Sequence, residues 1–217
     1  MKKLLILSLA LLPFFSSYGQ KKNPYHTPGT KEYTEETSKL LGTWDIQSFA
    51  KQSDEKVGTI YEKATVEFKE FDSKGRNGLA VFRFVLPKAT IDERISSWNK
   101  KGTTLVVDQY VVVATVEYKI SPKGVLVYFE NQMNHPEITG SGDQLENFLG
   151  TETAFISSQS AMKQSGGLGN LAAAQLMKSV SGTSFLPAIP TQVNYKNLTE
   201  TCVELVGLGK TNFKLKK

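Results

Sequence analysis

Apolar and polar residues alternate in short runs along most of this chain, and turn-forming residues separate the runs. The runs cover residues 43–49, 64–71, 79–86, 104–120, 125–130, 150–160, 192–198, 202–207 and 210–215. Alternation with a period of two indicates a β-strand that buries one face. Residues 79–86 are apolar on both faces except at Arg83, which is typical of a strand covered on both sides. The pattern therefore predicts about eight to ten strands.

Helical spacing predicts two short helices, at residues 88–101 and 171–180. Residues 34–41 are expected to start a further short helix that Gly42 ends. In the first helix Ile91, Ile95 and Trp98 share one face. Thr90 is its predicted N-cap, and Glu93 stands at the capping-box position.

A meander of this many antiparallel strands has exposed edges, and closure into a barrel removes them. We therefore expect a mainly β fold, an antiparallel meander that closes into a barrel, over residues 38–217. Residues 131–182 interrupt the alternation with a polar stretch, a Gly-rich turn and a helix, and we interpret them as a partly helical excursion. Residues 20–37 contain two prolines and few apolar residues, which is typical of a linker.

Residues 1–19 have the features of a secretory signal peptide. Lys2 and Lys3 precede an apolar stretch at 4–15, and small residues follow at 16–19. Cleavage would remove two of the positive charges that contribute to the net charge of +5. No cysteine follows the apolar stretch, and no other run approaches the ~20 apolar residues of a membrane helix. We expect a soluble exported protein, periplasmic or extracellular, that is neither a lipoprotein nor membrane-spanning.

Few residues of the chain suit metal or nucleophile chemistry. The two histidines, His26 and His135, and the single cysteine are too few for a zinc site of the His/Cys type. His135 lies near Glu130, Glu137 and Asp143 in the sequence, and we favour a solvated acidic loop over a weak cation site. No Gly-X-Ser-X-Gly elbow occurs. We therefore assign no catalytic residue, no metal and no cofactor.

Three further features limit the possible ligands and reactions. The Gly-rich segment 167–172 mimics a dinucleotide fingerprint, but the apolar strand that must precede it is missing, so we expect no nucleotide site. The lysines are scattered rather than arranged in a basic stripe with aromatics, so we expect no nucleic-acid partner. Cys202 lies in a strand-like stretch and is expected to be buried as a small apolar residue.

A Gly-X-Trp stands at the entry to the first predicted strand, in the segment Leu40–Trp44 (LLGTW). This arrangement, after a short N-terminal helix, resembles the lipocalins and the lipocalin-like domains of exported bacterial proteins. Residues 197–201 and 211–215 also resemble the last strands of such domains. The resemblance implies an eight-stranded barrel whose closed end contains Gly42 and Trp44. Family members often place an arginine on the last strand against this tryptophan, and here the available cations are Lys210, Lys214 and Lys216.

A barrel of this size holds one small ligand or is filled by its own side chains. Our first hypothesis is that the protein binds a small apolar ligand in the barrel. The alternative is a non-enzymatic structural or interaction protein of the cell envelope with a filled barrel and a protein partner at 131–182. An enzyme with Asp, Glu or Tyr at the barrel mouth has the least support, because nucleophile and metal motifs are missing. The candidate ligand-lining residues are Phe68, Phe82, Phe84, Tyr110, Tyr118, Tyr128 and Phe129.

Overall fold

The structure, a computed structural model of the chain, describes residues 30–49, 61–70, 78–99, 102–120, 126–164, 189, 192–196, 199–207 and 212–217. The predicted signal peptide, the Gly-rich segment 167–172 and the predicted helix at 171–180 lie outside the described residues. So does most of the predicted linker.

Eight strands and three helices are formed by the described residues. The strands are β1 (Gly42–Phe49), β2 (Lys63–Glu70), β3 (Gly78–Val85), β4 (Val106–Ile120), β5 (Leu126–Ser141), β6 (Gln192–Lys196), β7 (Cys202–Gly207) and β8 (Asn212–Lys216). The helices are α1 (Lys31–Leu40), α2 (Lys88–Ile95) and α3 (Leu145–Gln164). None of these helices combines the length and the apolar character needed to cross a bilayer.

The strands form one antiparallel sheet in sequence order. Each strand pairs with the next, and β1 also pairs with β8, so the hydrogen-bonded ladder closes as a barrel. Closure gives the outermost strands of the meander a partner, which removes their free edges. The prediction of a mainly β fold built as an antiparallel meander of about eight to ten strands is therefore confirmed, with eight strands in the described residues.

The two ends of the barrel differ, and we name them by their residues. The closed end is the end that contains Trp44, where β1 begins. The mouth is the opposite end, where the ladder between β3 and β4 finishes at the pair Val85 and Val111. Beyond the mouth, β4 and β5 continue as a two-stranded ribbon as far as the pair Val106 and Ser141. The helices α2 and α3 follow β3 and β5 on the mouth side.

The prediction that an excursion begins at residue 131 is wrong, because residues 131–141 continue β5. The strand contains a bulge opposite the stretch from Thr115 to Glu117, and Asn131 there has a φ of 53°. A bulge adds a residue to one strand and so interrupts the alternation of buried and exposed positions. This interruption explains why a period-two pattern ends before the strand does.

The prediction of a strand at residues 150–160 is also wrong, because this stretch lies within α3. The helix buries a narrow stripe of Phe148, Glu152 and Ile156, which are spaced by one helical turn each. With a glutamate in the middle of the stripe and threonines around it, the segment lacks a strong apolar period of 3.6 residues.

The helix α2 starts at Lys88 as predicted, but it has a different N-cap and ends at Ile95, before Trp98 and the predicted end at residue 101. Ile91 and Ile95 are both buried, as predicted. The N-cap is Pro87, and no side-chain hydrogen bond caps the helix, so the prediction of Thr90 as N-cap is wrong. Proline has a backbone φ suited to a helix start and lacks an N–H, which would have no partner at this position.

Burial alternates along β3, whose inward residues are buried and whose outward residues are half-buried. The outward face is therefore covered only in part. On β4, Val111 and Val113 are buried although they face outward. Arg83 on β3 and Glu137 on β5 form an ion pair that spans β4 at this place.

The prediction that Cys202 is buried is wrong, because its side chain is exposed. Cys202 is the first residue of β7, and the side chains of Val203 and Leu205 in the same strand are buried inside the barrel. Alternation then places the cysteine on the outer face, opposite Lys216 of β8.

Candidate functional site

The interior of the barrel, the lumen, contains most of the candidate ligand-lining residues. Six of them are at most 4% exposed: Phe68, Phe82, Phe84, Tyr110, Tyr118 and Phe129. Tyr128 belongs to β5, but its side chain lies outside the described part of the structure.

Phe82, in the middle of β3, is the centre of the aromatic packing in the lumen. Its ring centroid lies 5.7 Å from that of Phe129 on β5 and 5.9 Å from that of Phe213 on β8. These distances are those of rings in direct contact. Because β1 and β2 lie between β3 and β8 in the barrel, the contact between Phe82 and Phe213 crosses the lumen. Protein side chains therefore fill the lumen at this level.

Aromatic packing continues from Phe82 towards both ends of the barrel. Towards the mouth, the rings of Phe82 and Phe84 are stacked with centroids 6.2 Å apart, and Phe84 lies 4.8 Å from Tyr61. Towards the closed end, Phe68 and Tyr118 meet edge to face at 5.2 Å. The Tyr118 ring lies directly against Gly78, where an added Cβ would be only 2.0 Å from two ring atoms.

Trp44, the residue that defines the closed end, is fully buried. Its Nε1 donates a hydrogen bond of 2.7 Å to the Leu40 carbonyl oxygen at the end of α1. The Lys217 Nζ lies 4.4 Å from the centroid of the Trp44 ring system and donates to the Leu41 carbonyl oxygen at 2.9 Å. Gly42, with a φ of 101°, makes the turn from α1 into β1.

The cation against Trp44 is one that the sequence reasoning missed. The resemblance directed attention to the last strand, whereas Lys217 follows β8. Its backbone N–H also donates to the Thr201 carbonyl oxygen at 3.0 Å, which fixes its position beside the closed end. A cation over an indole ring contributes about 0.5–2 kcal/mol, depending on its exposure.

The mouth is covered by apolar side chains of α2 and α3. Phe148 of α3 contacts the rings of Trp98 and Tyr110, at 5.5 and 6.4 Å between centroids. Ile91 and Ile156 belong to the same core as the lumen residues. The apolar core of the barrel is therefore continuous with the interface between the barrel and its helices.

A buried polar cluster lies within this interface, and sequence reasoning missed it. Glu152 of α3 is only 5% exposed. Its Oε2 accepts hydrogen bonds from Arg94 Nε (3.1 Å), Arg94 Nη2 (2.5 Å) and the Tyr110 hydroxyl (2.7 Å). The Arg94 guanidinium also lies 5.3 Å from the centroid of the Phe155 ring. The cluster connects α2, α3 and β4.

Burial and the neighbouring carboxylate affect the ionisation of the cluster. Burial raises the pKa of the Tyr110 hydroxyl above its ordinary value, and the charge of Glu152 and the hydrogen bond to it raise the pKa further. The charge of Arg94 opposes this increase only in part. Tyr110 therefore stays a neutral donor to the carboxylate across the physiological pH range.

Glu130, His135 and Glu137 of the predicted acidic loop lie on β5, on the outer face of the barrel. His135 is an exposed residue of β5 rather than part of a loop, and its Nε2 lies 3.9 Å from the Glu137 Oε1. Glu130 instead pairs with Lys119 at 3.0 Å. Within the described residues, no three His, Cys, Asp or Glu side chains are grouped as metal ligands.

A groove of about 260 Å³ opens where β1 and β2 separate. Its lining is mainly polar and consists of Asp45, Ile46, Gln47, Glu62, Lys63 and Ala64. Small-molecule sites in proteins are usually enclosed and mostly apolar. The groove therefore lacks the character of a site for an apolar ligand.

Comparisons with protein-family models, with curated proteins and with solved structures found no match for this chain. The barrel geometry and its side-chain contacts therefore carry the functional interpretation.

Proposed function

We propose that this chain is an exported, lipocalin-like barrel that acts as a non-enzymatic interaction protein of the cell envelope, with a lumen that serves as its hydrophobic core. The single observation behind the proposal is the contact between Phe82 and Phe213, whose ring centroids are 5.9 Å apart across the lumen. A barrel that carries an apolar ligand must leave this volume empty or be able to empty it.

Emptying the lumen would cost much of the stability of the protein. The ring of Phe82 contacts the rings of both Phe129 and Phe213, and all three side chains are nearly fully buried. Displacing even one such ring removes contacts comparable to those lost in a Phe→Ala substitution, which costs about 3–5 kcal/mol. A small ligand has to exceed this cost before it binds with any net affinity. The geometry thus favours the filled barrel over the hypothesis of a ligand in the lumen.

For a filled barrel, the outward face of β3, β4 and β5 is the best candidate for a contact surface. Leu79, Val81 and Val85 of β3 are half-buried there, and Met133 of β5 is 64% exposed. Methionine adapts its shape to different partners and is over-represented at binding surfaces. We expect a protein partner to contact this face.

The described part of the region 131–182, residues 131–164, is integral to the fold and cannot be removed as a separate contact module. Residues 131–141 complete β5, and Phe148 and Ile156 of α3 belong to the core. Deleting the region would therefore unfold the barrel instead of removing one contact surface. Point changes on the outer face are the appropriate test.

Neutral apolar ligands test the state of the lumen. Native mass spectrometry with benzene, indole and retinol should show no complex with the wild-type protein. The variant Phe82→Ala should bind benzene, because a cavity of this kind left by a large side chain stays dry and accepts small apolar molecules. Binding of these ligands by the wild-type protein at a similar affinity would contradict the filled lumen.

Site-specific photo-crosslinking tests the contact surface in cells of the protein's own host. A photoreactive residue in place of Met133 should give a discrete crosslinked product. The same residue in place of Thr43, which is exposed on the outward face of β1 and away from β3, β4 and β5, is the matched control and should not. Equal labelling from both positions, or none from either, would show that this face makes no specific contact.

A further inference from the structure

We propose that a second copy of this chain is the partner that contacts the outer face of β3, β4 and β5, and that Arg83 and Glu137 exchange their ion pair between the two copies. The inference rests on the proposed use of this face as a contact surface, and it adds the identity of the partner. The two copies are related by a two-fold axis that lies in the interface and runs along β4.

Opposite charges flank the central strand of this face. Arg83 on β3 and Glu137 on β5 form the ion pair, with Nη1 of Arg83 3.0 Å from Oε1 of Glu137 and a second bond from Nη2 to Oε2. The two side chains are still 42% and 44% exposed. Val111 and Val113 of β4 face outward here and are at most 5% exposed. The ion pair therefore spans the strand that carries these two buried valines.

A two-fold axis along β4 makes this face complementary to itself. Rotation about that axis places β3 of one copy over β5 of the other, and the reverse contact follows by symmetry. Each Arg83 then faces the strand that carries Glu137 in the second copy, and the outward valines of β4 lie near the axis. Val81 and Met133 are both in register with Thr115, so Val81 of one copy faces Met133 of the other.

The alternative two-fold axis, through the middle of the face and across the strands, brings like charges together. It places each strand over its own counterpart with the residue order reversed. Lys63 and Lys69 are exposed near the two ends of β2, and Glu130 and Glu137 are both exposed on β5. Lysine would then face lysine, and glutamate would face glutamate. Electrostatic complementarity therefore selects the axis along β4.

The Arg83 side chain is long enough to form the ion pair between copies. Within one chain Arg83 is in register with His135, and it crosses two strand spacings, about 9.6 Å, to reach Glu137 two residues further along β5. Sheets that pack face to face lie about 10 Å apart, and the axis along β4 keeps the same offset along the strand. The dimer thus exchanges two internal ion pairs for two between copies, and the apolar contacts are its gain.

The size of the face indicates how strong the dimer is. Four strands from β2 to β5, with eight outward and inward residues along β3, span roughly 19 by 27 Å, or about 500 Å² for each copy. Stable interfaces bury about 800 Å² on each partner, and smaller ones belong to weak and transient complexes. We therefore expect a reversible dimer whose population depends on protein concentration.

Two variants of reversed charge test the exchange of the ion pair. Arg83→Glu has two acidic side chains at this place, and Glu137→Arg has two basic ones. In sedimentation velocity each variant alone should dimerise at least about 100-fold more weakly than the wild-type protein, because like charges then meet across the interface. An equimolar mixture should form a heterodimer at least as tightly as the wild-type dimer, because every charge meets its opposite. The double variant Arg83→Glu with Glu137→Arg should behave like the wild-type protein.

The exposed ion pair of Lys31 and Glu35 on α1 supplies the matched control. Lys31→Glu and Glu35→Lys make the same charge changes away from the face, and both should dimerise like the wild-type protein. The proposal is overturned if the wild-type protein stays monomeric at about 1 mM. It is also overturned if the mixture of Arg83→Glu and Glu137→Arg stays monomeric, or if the control variants weaken the dimer equally.

Photo-crosslinking of the wild-type charge pattern covers the case in which a reversed charge prevents folding. A photoreactive residue at Met133, in a purified mixture of ¹⁴N and ¹⁵N protein, should give mixed-isotope peptides that join it to β3 near Val81. Crosslinks within one isotope only would overturn the dimer. In host cells, a product that contains a different protein would overturn the dimer but support the contact surface, whereas no product from Met133 would contradict both.

Discussion

Gly78→Ala is the substitution for which the structure makes the sharpest stability prediction. Gly78 pairs with Tyr118 across β3 and β4, and an added Cβ would lie 2.0 Å from Cε1 and Cζ of the tyrosine and 2.4 Å from its oxygen. Carbon atoms in contact normally stay about 3.5–4 Å apart. The ring would therefore have to move by roughly 1.5–2 Å.

The space for such a movement is small, because Tyr118 is 1% exposed and packs edge to face against Phe68. Forcing extra atoms into a packed core costs about 1–3 kcal/mol. Alanine also restricts the unfolded chain, which returns about 0.4–1 kcal/mol. We expect a net loss of about 1–2 kcal/mol in the free energy of unfolding, which lowers Tm by about 2–4 °C for each kcal/mol.

Urea denaturation measures the change, and the chain offers a matched control. Gly150→Ala makes the same substitution in α3, where an added Cβ meets nothing within 4 Å. There alanine should stabilise the protein by about 0.5–1 kcal/mol, because glycine is unfavourable inside a helix. The two substitutions should therefore change stability in opposite directions.

A smaller side chain at position 118 tests whether the Tyr118 ring causes the loss of stability in Gly78→Ala. In a background of Tyr118→Leu, the cost of Gly78→Ala should fall below 1 kcal/mol, since the ring that it meets is gone. The reasoning is refuted if Gly78→Ala is as favourable as Gly150→Ala, or if its cost is the same with and without the Tyr118 ring.

Three further outcomes follow from the mouth and the outer face. Arg94→Met should lower the free energy of unfolding, measured by urea denaturation, by about 3–5 kcal/mol, because it leaves Glu152 buried without its cation. The double variant Arg94→Met with Glu152→Leu should recover most of this loss, because no charge is then buried. Equal losses in the single and the double variant would contradict this prediction. Burial raises the pKa of Tyr110 and Tyr61 above 10.0. The unfolded chain therefore loses these protons first, and their contribution to stability, complete below pH 10, declines above it. Absorbance titration should show them ionising only with unfolding, and ionisation in the native state would refute this. Cys202 should react with a maleimide in the folded protein, and reaction only in denaturant would contradict its exposure.

The strands were largely predictable from the sequence because most of them obey a period of two. Thr43, Ala64 and Leu79 begin predicted runs that lie within one residue of the observed starts of β1, β2 and β3. A pattern with a period of two shows which face of a strand is buried, so it is enough to predict a strand that buries one face and exposes the other.

The parts that failed depend on contacts between distant segments. The bulge at Asn131 hid the second half of β5, since its effect on burial depends on the pairing with β4. Glu152 stands in a buried stripe only because Arg94, far away in the sequence, supplies the opposite charge. A lone glutamate between Phe148 and Ile156 is the one local signal that could have indicated α3 and its polar cluster.

The filled lumen is the central claim, and the contact between Phe82 and Phe213 tests it most directly. Nuclear Overhauser effects between their ring protons can be measured in solution with selectively labelled phenylalanine. We expect strong ring-to-ring effects from Phe82 to both Phe213 and Phe129, because the centroids are 5.9 and 5.7 Å apart. An open lumen would give no effect between Phe82 and Phe213, and the chemical shifts of their ring protons would change when a neutral apolar ligand is added. That result would contradict the filled lumen.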